Sequence, residues 1–274
     1  DREILRPSEN EDLDNIGTIV DVEPRKSVLA RAVRTTGSRG AGGRERQQVL
    51  IANVDQALFV FAAAHPQPNL RMLDRFLIVA ESSHIEDMKI VINKTDLVPK
   101  EIINHHFAPY AAMGYEIIQT SAKKGVGIDT LRDMLRDKVS VFTGPSGVGK
   151  TSLLNAIQPE LGRAVKAVSR VHKEGMHTTR DSALVKLDVG GYLADTPGIR
   201  NLNIWDMEPE ELDGYMRDIA AHVPNCRFSN CTHVNEPGCA VRRAVADGKI
   251  AKRRYKHYLV LHEELMETLE LSWG

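Results

Sequence analysis

The octapeptide Gly144-Pro145-Ser146-Gly147-Val148-Gly149-Lys150-Thr151 constrains this chain more than any other stretch. It satisfies G-x-x-x-x-G-K-[ST] at every required position, and its flanks fit. Residues 139–143 read as a short buried strand, and residues 152–157, from Ser152 onward, as the opening turns of a helix. Phosphate binding needs that order of strand, glycine loop and helix. Glycines let successive N–H groups converge on oxygen atoms, and the helix start adds partial positive charge. In this reading Lys150 reaches the β- and γ-phosphates and the Thr151 hydroxyl ligates Mg²⁺.

The segments around the loop alternate. Residues 57–62, 88–92 and 115–120 read as strands, and 69–81, 99–113 and 128–137 as helices, a rhythm that implies a parallel sheet covered on both faces. Residues 183–187 and 191–195 flank a turn at Asp188-Val189-Gly190 and read as an antiparallel hairpin at one side of that sheet. Beyond Gly198 the strands stop; residues 208–221 and 250–271 are helical by period. Before residue 50, residues 16–22 and 27–33 are short β-like pieces that suggest part of a small barrel, and residues 35–46 read as a mobile basic loop.

Two tetrapeptides follow sheet strands. Asn93-Lys94-Thr95-Asp96 fits N-K-x-D, and Thr120-Ser121-Ala122-Lys123 carries S-A-K. Parallel sheets bind ligands at the carboxyl ends of their strands, so both could meet a nucleotide held by the loop. N-K-x-D is suited to guanine. The Asp96 carboxylate accepts from N1–H and the exocyclic amine, Asn93 meets the opposite edge, and the Lys94 stem lies along the ring. Asp195-Thr196-Pro197-Gly198 fits D-x-x-G, whose Asp holds Mg²⁺ through water and whose Gly amide senses the γ-phosphate. Gly175-Met176-His177-Thr178-Thr179-Arg180 supplies a switch threonine for Mg²⁺. Spacing does not separate Thr178 from Thr179, and Thr179 is the preferred ligand. No glutamine follows Gly198, which leaves His177 as the nearest side chain able to position or deprotonate water.

The three cysteines all lie in one short segment, Cys226-x₄-Cys231-x-His233-x₅-Cys239. An odd number cannot all pair as disulfides within one chain. Three thiolates and an imidazole suit a closed, tetrahedral structural Zn²⁺ site with no position left for a catalytic water. The net charge of the 274 residues is −1, so nothing global marks a polyanion binder, and any such surface is local, as at the basic start of the last helix. No apolar run reaches membrane-spanning length and no secretory leader is present at the start, so the chain is expected to be cytoplasmic and to act as a monomer. It begins at Asp1, which leaves open whether residues precede it and complete the N-terminal barrel.

The order of the motifs is N-K-x-D, S-A-K, phosphate loop, switch threonines, D-x-x-G. Ras-like GTPases place the phosphate loop first, so this chain reads as a circular permutation. Together with Ala52-Asn53-Val54-Asp55-Gln56 and the cysteine cluster, that order resembles the RsgA (YjeQ) family of small-subunit-dependent GTPases over about residues 50–265. The resemblance implies an α/β fold: an OB-type β domain at 1–49, possessing fewer strands than a full barrel, a permuted GTPase domain at 50–203 and a helical zinc domain at 204–274. It further implies GTP hydrolysis with GTP/GDP, Mg²⁺ and one structural Zn²⁺, in late maturation of the small ribosomal subunit, with that subunit and its rRNA as partners. Two other classes stay open. A P-loop kinase or ATPase would be competed by ATP, and a nucleotide-independent RNA-binding zinc protein would bind RNA alike with GDP or a GTP analogue.

Overall fold

The computed structural model describes residues 3–7, 17–33, 46–165, 183–195 and 207–273. At the N-terminus β1 (Glu3–Pro7) pairs antiparallel with β2 (Gly17–Val22), and β3 (Val28–Val33) with β4 (Arg46–Ala52). Two of these strands match the β-like pieces read from sequence; β1 and β4 add to them. The two pairs are separate sheets among the described residues, and most of the expected basic loop lies outside those residues.

Asn53-Val54-Asp55-Gln56 joins β4 to the main sheet and lashes the two parts together. The Ser27 hydroxyl donates to the Val54 carbonyl at 3.1 Å and accepts from its N–H at 2.9 Å, while Asp55 Oδ2 accepts from the Val139 N–H at 2.7 Å. Gln56 is fully buried and donates to the Met134 carbonyl and the Ser140 hydroxyl.

The main sheet has six strands in the order β7-β6-β5-β8-β10-β9. These are β5 (Gln56–Ala62), β6 (Asp87–Asn93), β7 (Glu116–Gln119), β8 (Val139–Thr143), β9 (Ala183–Lys186) and β10 (Tyr192–Asp195). All are parallel except β9, which hairpins antiparallel onto β10 at the edge. Side-chain alternation along β5 shows why both faces must be covered: Leu58 and Val60 enter one core, Phe59 and Phe61 the other. On the first face lie α3 (Ile128–Leu135) and α4 (Lys150–Ile157). On the second lie α1 (Leu70–Ser82) and α2 (Lys100–Ala112), with Phe59 stacked on Phe76.

The C-terminal segment departs from its expected single helix over 208–221. Pro209–Tyr215 forms a 3₁₀ stretch opened by a Glu208/Glu211 capping box, and α5 (Arg217–Ala220) is a separate turn. The break falls at Met216, which is extended (φ −112°, ψ 95°) two residues after Gly214, a weak helix former, whereas Pro209 at the first helical position suits the start. Next come α6 (Ala240–Ala246), which the sequence reading did not identify, and α7 (Lys252–Trp273), close to the expected long helix. Leu212, Met216, Ile219, Tyr258, Leu261 and Leu265 all join the core cluster that contains α1 and the second face of the sheet. The segment therefore does not rest on a core of its own.

Candidate functional site

The phosphate loop leaves β8 and enters α4 through two glycines that no other residue could replace. A β-carbon on Gly144 would stand 2.1 Å from the Val60 carbonyl oxygen, and one on Gly149 would stand 2.4 Å from Asn93 Nδ2. Both also have positive φ, at 152° and 95°. Lys150 opens α4, and its ammonium donates to the carbonyls of Gly144 and Pro145, so it lies over its own loop. Val148 is buried beneath.

Asn93 ends β6 almost fully buried. Its Nδ2 donates to the Val148 carbonyl at 2.9 Å and its Oδ1 accepts from the Ala122 N–H at 3.2 Å. The side chain thus braces all three loops against one another, in addition to lying near any base. Lys94 takes a left-handed conformation, φ 60°, and its ammonium donates to the Gly147 carbonyl at 2.7 Å and to the His65 carbonyl. Asp96 is exposed. The Ser121 hydroxyl donates to its Oδ1 at 2.6 Å, and this bond, with Lys123 and Lys124 nearby, holds the carboxyl below its usual range.

These groups enclose one cavity of about 390 Å³, lined by Asn93, Lys94, Asp96, Ser121, Ala122 and Lys123 together with Gly149 and Ser152 of the phosphate loop and α4. Sites separated by up to 59 positions in the chain meet because β6, β7 and β8 all end at the same edge of the sheet. Asp195 closes β10 at that edge, one position beyond the Ala194–Val141 pair; its side chain lies outside the described residues. So do His177, Thr178, Thr179, Thr196, Pro197 and Gly198.

A second cluster brings Cys226, Cys231, His233 and Cys239 together, with all ligand atoms within 4.8 Å of one another. Cys226 Sγ is 4.0 Å from Cys239 Sγ, and His233 Nδ1 is 3.6 and 3.4 Å from those two sulfurs. A tetrahedron with Zn–S near ~2.3 Å and Zn–N near ~2.0 Å has edges of about 3.5–3.8 Å, so the spacing fits zinc. Burial, together with the Cys239 and Cys226 sulfurs, pushes the Cys231 thiol up to about 12, a penalty that a divalent cation among the sulfurs would remove. Sequence reading missed the supporting groups. Asp213 Oδ2 lies 2.9 Å from His233 Nε2, which directs Nδ1 to the sulfurs, and the Tyr255 hydroxyl donates to the His233 carbonyl at 2.7 Å. Both come from elements outside the ligand loop, where ligand spacing gives no signal. His257, in α7 and outside the metal cluster, pairs with Asp74.

The RsgA GTPase family profile matches residues 22–205. The chain is 44% identical over 248 residues to the small ribosomal subunit biogenesis GTPase RsgA of Gemmatimonas aurantiaca, covering 90% of this chain and 78% of that one. It is 41% identical over 251 residues to the protein of the same name from Caldanaerobacter subterraneus subsp. tengcongensis, covering 92% and 79%. Among solved structures it matches YjeQ from Thermotoga maritima with a TM-score of 0.72 at 38% identity, over 91% of this chain and 79% of that one. YloQ, described as a circularly permuted GTPase, matches with a TM-score of 0.72 at 30% identity, over 97% and 79%.

Proposed function

The chain belongs to the RsgA GTPase family, and on that premise we propose how its residues carry out a guanine-nucleotide cycle in small ribosomal subunit assembly. It is a GTP hydrolase and a subunit biogenesis factor. The observation that carries the reading is the cavity where Asn93, Lys94 and Asp96 face Ser121 and the phosphate loop. There the ionised Asp96 accepts from guanine N1–H and N2–H, and adenine offers no such donor pair. Lys94 lies along the base while Asn93 keeps the three loops in register. Lys150 exchanges the Gly144 and Pro145 carbonyls for phosphate oxygens, joined by the N–H groups of the loop and of Ser152.

Thr151, Thr179 and Asp195 would hold Mg²⁺, which when bound neutralises charge on the β- and γ-phosphates. His177 orients the attacking water, and Gly198 follows the γ-phosphate. Cys226, Cys231, His233 and Cys239 hold one structural Zn²⁺ that orders the loop before α6. The partners are the small subunit and its rRNA, and the chain acts in the cytoplasm as a monomer. No helix among the described residues is long and apolar enough to cross a membrane.

The test is GTP turnover by the purified chain with and without small ribosomal subunits. Subunits should stimulate hydrolysis, with competition by GDP and not by ADP. His177→Ala should lower the stimulated kcat by about 10²–10⁴ with KM nearly unchanged. Turnover indifferent to both subunits and the base would overturn the reading, and normal turnover by His177→Ala would withdraw the role given to that residue.

A further inference from the structure

The loop between β5 and α1 touches both halves of the cavity. The Ala63 N–H donates to the Asn93 carbonyl at 2.8 Å, and the His65 carbonyl accepts from Lys94 Nζ. Pro66 lies over Gly147, its Cδ 3.6 Å from where a β-carbon would stand. The same loop ends in Asn69, whose Oδ1 caps α1 by accepting from the Met72 N–H at 3.1 Å. Residues 63–69 are therefore a strap fastened to the N-K-x-D turn and the phosphate loop at one end and to α1 at the other.

Along its length α1 is fastened to the C-terminal segment. Asp74, fully buried, accepts from the Tyr110 hydroxyl at 2.7 Å and pairs with Arg254 and His257 of α7. Arg254, 2% exposed, grips Asp218 of α5 in a two-point bond at 2.7 and 3.0 Å. Glu81, two turns beyond Asp74, accepts from Arg217 Nε at 2.5 Å and from the Tyr115 hydroxyl at 2.8 Å, and Arg75 pairs with Glu264. Breaking a buried pair leaves a charge without compensation, so α1 cannot slide against α5 and α7 at low cost. Whatever shifts the strap must move α1 and the C-terminal helices together, or be resisted by them.

We infer that α1 is a tie through which occupancy of the guanine cavity and order in the C-terminal helices control one another. This rests on the reading of residues 93–96 as the guanine site. A base lying along the Lys94 stem pins its ammonium where the Gly147 and His65 carbonyls hold it, which stabilises the seated strap and, through Asp74 and Arg254, the position of α5 and α7. The signal originates at the base end of the nucleotide, so GDP and GTP act alike through it. It is separate from any γ-phosphate signal through D-x-x-G. Binding linkage makes the coupling reciprocal: loosening α1 from α7 must weaken GDP.

Hydrogen exchange by mass spectrometry on the full, zinc-loaded chain, with and without GDP, tests this, alongside GDP affinity. GDP should slow exchange by about five-fold or more, the lower end of inter-site coupling, in residues 217–220 and 252–262 as well as in the phosphate loop. Asp74→Asn, which keeps the side-chain shape, should abolish the remote protection, leave that of the phosphate loop, and raise the Kd for GDP by a similar factor. Arg75→Ala, at a pair only partly buried and so less costly to break than the Asp74 pair, should reduce both effects in the same direction. The inference is overturned if GDP protects residues 144–152 but leaves 217–262 unchanged in the unmodified chain. It is equally overturned if Asp74→Asn and Arg75→Ala both leave the GDP Kd unaltered. GDP protecting no segment would instead remove the guanine reading on which the tie depends.

Discussion

Asp96 is exposed, yet its carboxyl is held below the usual range, chiefly by the Ser121 hydroxyl and then by Lys123 and Lys124. Only the ionised form accepts both guanine donors, so a lowered pKa preserves binding as pH falls. The share of GDP affinity that Asp96 supplies should therefore persist to lower pH than a free carboxylate would allow, measured against the fall that the nucleotide's own phosphate causes. Ser121→Ala should move the loss of that share to higher pH, read from GDP binding across a pH series; superimposable curves would remove Ser121 from this role. Asp96→Asn presents a donor where guanine N2 also donates, so it should lose guanine preference, on the order of 10⁴, and gain xanthine nucleotides. The identities of these residues were legible because N-K-x-D and S-A-K are local patterns. Their mutual support was not, because the Ser121–Asp96 and Asn93–Val148 bonds cross 25 and 55 positions of chain, and no periodicity encodes them.

Elements of the main sheet were legible for a simple reason. The β5 and β6 strands are buried on both faces, so each carries a short apolar run, residues 57–62 in β5 and 90–92 in β6, the latter after Met88 and a buried Lys89, close to polar turns. The C-terminal elements lack that redundancy. α6 has only 7 residues, too few for a helical period to register, and it is opened by a metal-ligand candidate: Cys239 Sγ accepts from the Arg242 N–H at 3.4 Å. Its first turn is thus bonded to the cluster before it, and the cluster's His233 is held in turn by Asp213 of the 3₁₀ stretch. Asp213→Asn leaves all four ligands in place but weakens the hold on His233 Nε2. It should lower zinc affinity by about 10–100-fold, measured by competition with a chromophoric chelator, with loss of exchange protection in α6. Unchanged affinity would mean that the Tyr255 and Tyr258 bonds to the loop carbonyls orient the site without it.

At the scale of the molecule, the strand before the phosphate loop lies inside the sheet between β5 and β10, and the permutation puts it late in the chain, so that among the described strands only the β9–β10 hairpin stands between it and the C-terminal helices in sequence. Their apolar residues pack on one another and also complete the cluster begun by α1, Phe59 and Phe61. This shared core has no signal in the sequence, since a boundary between segments carries no information about which face a later helix covers. The physical consequence is cooperativity. Sheet and C-terminal helices should unfold in one transition, with helix circular dichroism and exchange of the β5 amides giving the same midpoint. Arg254→Met sharpens the test, since it takes the guanidinium from the buried Asp74, which keeps only His257 and the Tyr110 hydroxyl, and from the partly buried Asp218. Removing one partner of a buried pair costs about 3–5 kcal/mol, a large share of the stability of an ordinary domain. If the core is shared, that loss should lower the midpoint seen by the β5 amides as much as the one seen by the helices, although Arg254 touches no strand. A midpoint that falls for the helices alone would mean that the two halves fold independently and that their common cluster is only a contact surface.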